Sequence, residues 1–135
     1  MSKTTERTAT VWPTLRYRDA RAAIRFLVDA FGFEEVVSYA GSDELTVMHA
    51  ELRWPLGGGV MLGSTAYTEG VHADMKAGGA SVYVVTDEPD ALFGRATAAG
   101  AEVVQGLRDE DYGSRGFTVR DPEGNLWTFG TYRGA

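Results

Sequence analysis

The spacing of apolar and polar positions changes several times along the 135-residue chain, and each change marks an element. Thr10 to Tyr17 reads as a strand. From Asp19 the period lengthens. Ile24, Leu27, Val28 and Phe31 fall at i, i+3, i+4 and i+7, which predicts an amphipathic helix over 19–31. Asp19 suits its N-cap and Gly32 its C-terminal stop. Strands are predicted over 33–39, 45–54 and 60–63, with turns at Gly41-Ser42-Asp43 and over 55–59. Residues 65–79 are polar, glycine-bearing and aperiodic, and read as a connector. Ser81 to Val85 is the next strand. Asp87 opens a helix that tolerates Pro89 in its first turn, shows Leu92, Phe93 and Ala96 to the core, and closes at Gly100. Strands over 102–105, 115–119 and 126–132 complete the pattern, with a charged loop over 106–113. In Asp121-Pro122-Glu123-Gly124 the proline presets φ and the glycine supplies a positive φ, so this segment is a turn. Residues 1–8 look like a frayed polar arm.

The two halves carry the same plan. An offset of 68 places Asp19 on Asp87, Ala23 on Ala91 and Gly32 on Gly100; with one residue of slippage Pro55 falls on Pro122 and Gly63 on Gly130. Both halves read βαβββ, and such a repeat dictates architecture. The length fits one domain, here divided into a first module over 9–64, the connector over 65–79 and a second module over 80–132. Two such units can lay their sheets together around a shared cleft, a common place for a ligand.

Bulk properties narrow the function. No apolar run approaches the roughly 18 residues of a membrane span, and residues 1–8 lack a signal-peptide core, so a cytoplasmic protein is expected. There are no cysteines, which excludes disulfides and thiolate chemistry. A net charge of −6 without a basic run argues against nucleic acid. Such a surface favours a cationic small molecule, or simply keeps the protein in solution. Gly57-Gly58-Gly59 has no following lysine or helix and is not a phosphate loop.

Four segments, in this order and spacing, resemble the vicinal oxygen chelate superfamily of glyoxalase I, extradiol dioxygenases and bleomycin-resistance proteins. They are Leu15-Arg16-Tyr17-Arg18-Asp19, Ala30-Phe31-Gly32-Phe33, Ala98-Ala99-Gly100-Ala101 and Asp121-Pro122-Glu123-Gly124-Asn125-Leu126-Trp127. The details are most similar to the glyoxalase/bleomycin-resistance, or PhnB-like, subgroup. The resemblance implies an α+β fold of paired βαβββ modules curled around a cleft, and a homodimer. In the family's metalloenzymes it also implies four divalent-metal ligands on that cleft. Carried over, those positions are Trp12, Ala80 or Ser81, Met61 and Thr128. An indole, a small side chain, a thioether and a hydroxyl do not make a site for such an ion, so neither metal nor other cofactor is expected.

Strand alternation nominates the cleft residues. Trp12, Thr14 and Arg16 share one face; Ser81 and Tyr83, Met61, and Thr128 come from the neighbouring strands. Arg16 stands where the resemblance implies an arginine against a substrate carboxylate, or pairs internally. Tyr112 and Arg115, on the charged loop, are rim candidates. His49 and Glu51 alternate on one strand and could transfer a proton, or could be its solvated face; His72 lies in the connector. Two functions follow. One is a metal-independent protein that binds a small molecule, sequestering an antibiotic or related metabolite. The other is an enzyme of the same superfamily, a lyase, isomerase or dioxygenase, either metal-free or using a different metal site.

Overall fold

The computed structural model describes residues 9–135, so the arm over 1–8 lies outside the described residues. The first module contains β1 (Thr14–Tyr17), α1 (Ala20–Phe26), β2 (Glu34–Ala40), β3 (Val47–Arg53) and β4 (Gly59–Ser64). The second contains β5 (Ser81–Val85), α2 (Pro89–Ala98), β6 (Glu102–Asp109), β7 (Arg115–Arg120) and β8 (Leu126–Gly130). Each module forms one four-stranded mixed sheet. The orders are β1-β4-β3-β2 and β5-β8-β7-β6, so the first strand of each module lies parallel beside the last.

Local chemistry sets the ends of these elements. Asp19 caps α1, its carboxylate accepting from the Ala22 N–H at 3.0 Å. The predicted single helix over 19–31 is in fact α1 followed by a π-helical turn, Leu27–Phe31, which ends at Gly32 with φ 91°. Arg95 on α2 closes that end by donating to the carbonyls of Asp29 (2.8 Å) and Val28 (3.0 Å). β1 starts at Thr14 rather than Thr10, because Pro13 has no N–H and β4 starts only at Gly59; the last bond there runs from the Met61 N–H to the Pro13 carbonyl. β3 starts two residues later than predicted, since the Asp43 carboxylate ties the N–H groups of Leu45 and Thr46 into a turn. β6 continues to Asp109 through what reads as a loop, with two register irregularities along it.

One face of each sheet is buried against the helices. Tyr17, Ala50, Leu52, Val60 and Leu62 supply it in the first sheet, and Val84, Phe117, Val119, Trp127 and Phe129 in the second. Phe31 joins the modules, its ring 5.5 Å from Trp127 and 4.7 Å from Phe129. Leu15 is buried among the same residues.

The turns of the last hairpins also cross between modules. Residues 54–58 and 121–125 form turns with matching backbone bonds: Trp54 N–H to Gly58 O and Gly57 N–H to Trp54 O in one, Asp121 N–H to Asn125 O and Gly124 N–H to Asp121 O in the other. The second turn is anchored by charge. Asp121, 5% exposed, accepts hydrogen bonds from Tyr17 Oη at 2.6 Å, Asn125 Nδ2 at 3.0 Å, Trp127 Nε1 at 3.1 Å and the backbone N–H groups of Glu123 and Asn125. Burial, reinforced by the Asp121 carboxylate, pushes the Tyr17 phenol far above its ordinary value. Glu123 receives the N–H groups of Arg18 (2.6 Å) and Asp19 (2.8 Å) at the start of α1.

Candidate functional site

The faces turned away from the helices carry most of the candidate residues. On the first sheet β1 and β4 place Thr14 beside Met61, and β4 and β3 place Met61 beside Glu51. On the second sheet β5 and β8 place Tyr83 beside Thr128, whose hydroxyl lies 2.8 Å from that of Thr118; Ser81 is two residues before Tyr83. These two sets occupy separate sheets. Trp12 precedes β1, with its indole N–H donating to Ala9 O at 3.3 Å and its ring against Gly59.

The ladders also fix which residues correspond in the two modules. Arg53 pairs with Gly59 as Arg120 pairs with Leu126, so Met61 and Thr128 are equivalent. Thr14 opposite Met61 then corresponds to Tyr83 opposite Thr128, which makes Ser81, rather than Ala80, the counterpart of Trp12.

His49 and Glu51 meet on the open face of the first sheet. His49 Nε2 lies 2.9 Å from Glu51 Oε2, with side chains 37% and 35% exposed. The Tyr39 ring lies parallel to the imidazole with centroids 6.5 Å apart. His72 lies exposed in the connector.

Arg16 is 6% exposed. Its Nη2 donates to the carbonyls of Ser64 at 2.7 Å and Tyr67 at 2.6 Å, so it braces the backbone turn that follows β4, and its Nε has no partner. Arg115 is engaged with Asp90 at 2.8 Å and Asp109 at 3.3 Å. That pairing holds the Arg115 guanidinium above its ordinary value and the Asp90 carboxyl below its own. Tyr112 packs edge-on against Tyr132, centroids 5.5 Å apart, and the Tyr83 hydroxyl donates to the Tyr132 carbonyl at 2.7 Å. All three tyrosines are exposed, at 46% for Tyr83, 63% for Tyr112 and 42% for Tyr132. Tyr132 was not nominated from sequence; only its place just past β8 pointed to it.

A cavity of about 480 Å³ opens where β5 faces the β3–β4 turn. Trp54 and Arg133, both absent from the sequence nominations, help line it.

Residues 9–129 match the model of the Glyoxalase/Bleomycin resistance protein/Dioxygenase superfamily. The chain belongs to this superfamily. Its match to an uncharacterized protein of Mycobacterium tuberculosis is 36% identical over 123 residues, covering 87% of this chain and 71% of that one. The structure of TioX from Micromonospora sp. ML1 superposes with a TM-score of 0.74 at 36% identity, covering 90% of this chain and 97% of that chain. A glyoxalase/bleomycin resistance/dioxygenase superfamily member from Sphaerobacter thermophilus gives 0.68 at 23% identity, covering 90% and 96%, and speaks for the fold alone.

The superfamily's metalloenzymes imply a divalent ion, and the donor set here does not fit one. Trp12, Met61, Ser81 and Thr128 offer neither carboxylate nor imidazole. Among the described residues, no three His, Asp or Glu side chains gather into a group that could hold a metal. Among the same residues no helix is long and apolar enough to cross a membrane.

Proposed function

We propose that the protein is a metal-independent small-molecule-binding member of its superfamily, sequestering an antibiotic or related metabolite. One observation carries the reading: the positions that the resemblance gives to the superfamily's four metal ligands hold an indole, a thioether and two hydroxyls, beside Thr14 on one sheet and Tyr83 and Thr118 on the other. Such surfaces suit a planar, largely apolar ligand that is oriented by a few hydroxyls. Thr14 and Met61 form one half of the site, and Ser81, Tyr83 and Thr128 the other. Trp12, Tyr112 and Arg115 belong to the rim. Arg16 acts by holding the turn after β4 rather than by meeting the ligand. A homodimer would bring the open face of one sheet against that of a partner and enclose the ligand between them.

Native mass spectrometry with and without added nickel, zinc or iron(II) tests this. A metal-free dimer whose melting temperature does not change with metal is the expected result. One metal per subunit with a chelator-reversible rise in melting temperature would overturn the reading and restore lyase and dioxygenase chemistry.

The His49–Glu51 contact favours a second reading, a metal-free enzyme. With Nε2 held by Glu51, Nδ1 is the imidazole nitrogen left to take a proton from a bound carbon or oxygen acid. Under this reading His49→Gln abolishes turnover of a ligand while leaving its binding intact. If ligands are recovered unchanged from the wild-type protein, the enzyme reading fails.

A further inference from the structure

The repeat departs from itself at one place, and a cavity stands there. The turns over 54–58 and 121–125 are equivalent, offset by 67 positions as the hairpin registers require. In the second turn Asp121, Glu123 and Asn125 lock onto β1 and the start of α1 or support that contact. Their counterparts in the first turn are Trp54, Leu56 and Gly58. No carboxylate is available there to reach β5. A hydrogen bond across this gap runs from Trp54 Nε1 to the Val85 carbonyl at 2.8 Å. The space left between turn and strand is the cavity of about 480 Å³.

Its walls are Val11, Pro13, Leu56 and Val82, with the flat rings of Phe33 and Trp54, and Arg133 stands at it paired with Asp87 at 2.9 Å. It lies at the edge of β5 beside the β3–β4 turn, lined by Val60, Val82 and Val84 and also by Tyr83 and Val85, whereas Thr14, Met61, Ser81 and Thr128 of the open faces do not line it.

The cavity also contains hydrogen-bonding groups. Among the described residues β5 is an edge strand with β8 on one side only. The Leu126 N–H to Ala80 carbonyl bond and the Thr86 N–H to Gly130 carbonyl bond place the even-numbered residues of β5 on the β8 side. The N–H and C=O groups of Tyr83 and Val85 therefore point to the free edge, and Trp54 takes only the Val85 carbonyl. In order along the strand, the edge presents a donor at Tyr83, an acceptor at Tyr83 and a donor at Val85. Tyr83 and Val85 both line the cavity.

We propose that this cavity is a second ligand site, and that it takes a small planar heterocycle carrying a cyclic-amide edge. Such an edge pairs its carbonyl with a strand N–H and its N–H with the Tyr83 carbonyl, while the rings fill the apolar slot. The volume lies within the range of small-molecule pockets. An added peptide strand is disfavoured, because the Trp54 indole already occupies the edge at Val85 and ends it after two pairing residues.

The test uses the full chain labelled with nitrogen-15 and three probes: 2-quinolinone, N-methyl-2-quinolinone and naphthalene. The expected result is a downfield shift of the Tyr83 or the Val85 amide proton with 2-quinolinone, whichever takes its carbonyl. Its affinity should be at least tenfold above that of either other probe. Leu56→Trp, at an exposed turn position, should fill the slot and abolish the shifts; Val82→Phe repeats the test from the opposite wall. The proposal is overturned by equal affinities for the three probes, by no shift at millimolar 2-quinolinone, or by shifts centred on Thr14, Met61 and Thr128. It is also overturned if either variant dissociates a dimer, since a second copy would then cover the slot.

Discussion

Replacing Asp121 by asparagine tests what joins the two modules. The aspartate receives five hydrogen bonds, three at Oδ2 from Tyr17, Asn125 and Trp127 and two at Oδ1 from the backbone N–H groups of Glu123 and Asn125. Asparagine has one acceptor oxygen. Aimed at the three side-chain donors, it turns its NH2 against the two backbone donors; flipped, it strands the side chains instead. Either way at least two buried donors lose their partner, at about 1–3 kcal/mol each, and the charge assistance of the remaining bonds is lost. The expected cost is about 3–5 kcal/mol, a large share of the roughly 5–15 kcal/mol of a typical domain. Tyr17→Phe, by contrast, removes one donor and leaves the carboxylate with four, for about 1–2 kcal/mol. Urea unfolding with a common m-value measures both. In the double variant Tyr17→Phe should cost much less than it does alone, because its acceptor has already been compromised. If Asp121→Asn costs no more than Tyr17→Phe, the carboxylate is not the hub of the contact and the argument fails.

Alkaline unfolding carries a second signature of that bond. The Tyr17 phenol is raised above its ordinary 10.0, so its contribution is complete below about pH 10 and declines as pH rises past it, by about 1.4 kcal/mol per unit. Urea midpoints at pH 9 and 11 should fall less for Tyr17→Phe than for wild type, and equal falls would contradict this. Gly59→Ala should destabilise by about 1–3 kcal/mol or more, since a β-carbon there meets the Trp12 ring at 2.7 Å and the Leu52 carbonyl; an unchanged melting temperature would show that the strand yields easily.

The order of elements was legible because two kinds of signal agreed. Apolar spacing gave their type, and the repeat placed Gly32 and Gly100, then Pro55 and Pro122, at matching ends. Misplaced ends arose where one local group overrides propensity: the missing N–H of Pro13 at β1, and the Asp43 carboxylate before β3. Faces were harder to read than strands. Arg16 alternates correctly with Leu15 and Tyr17, yet its burial depends on the carbonyls of Ser64 and Tyr67, far along the chain. The superfamily was readable as motifs and spacing. The cavity beside β5 was not, because it depends on two equivalent turns behaving differently. Asp121 reads as a turn former, and only its distant partners reveal it as an anchor.

Those partners have a consequence for how the chain is made. Tyr17, Arg18 and Asp19 bond to Asp121 and Glu123 across 104 or 105 positions. When the first module leaves the ribosome, the phenol of β1 and the opening amides of α1 still lack these acceptors. The first half of the protein therefore waits, incomplete, until residues 121–123 have been synthesised.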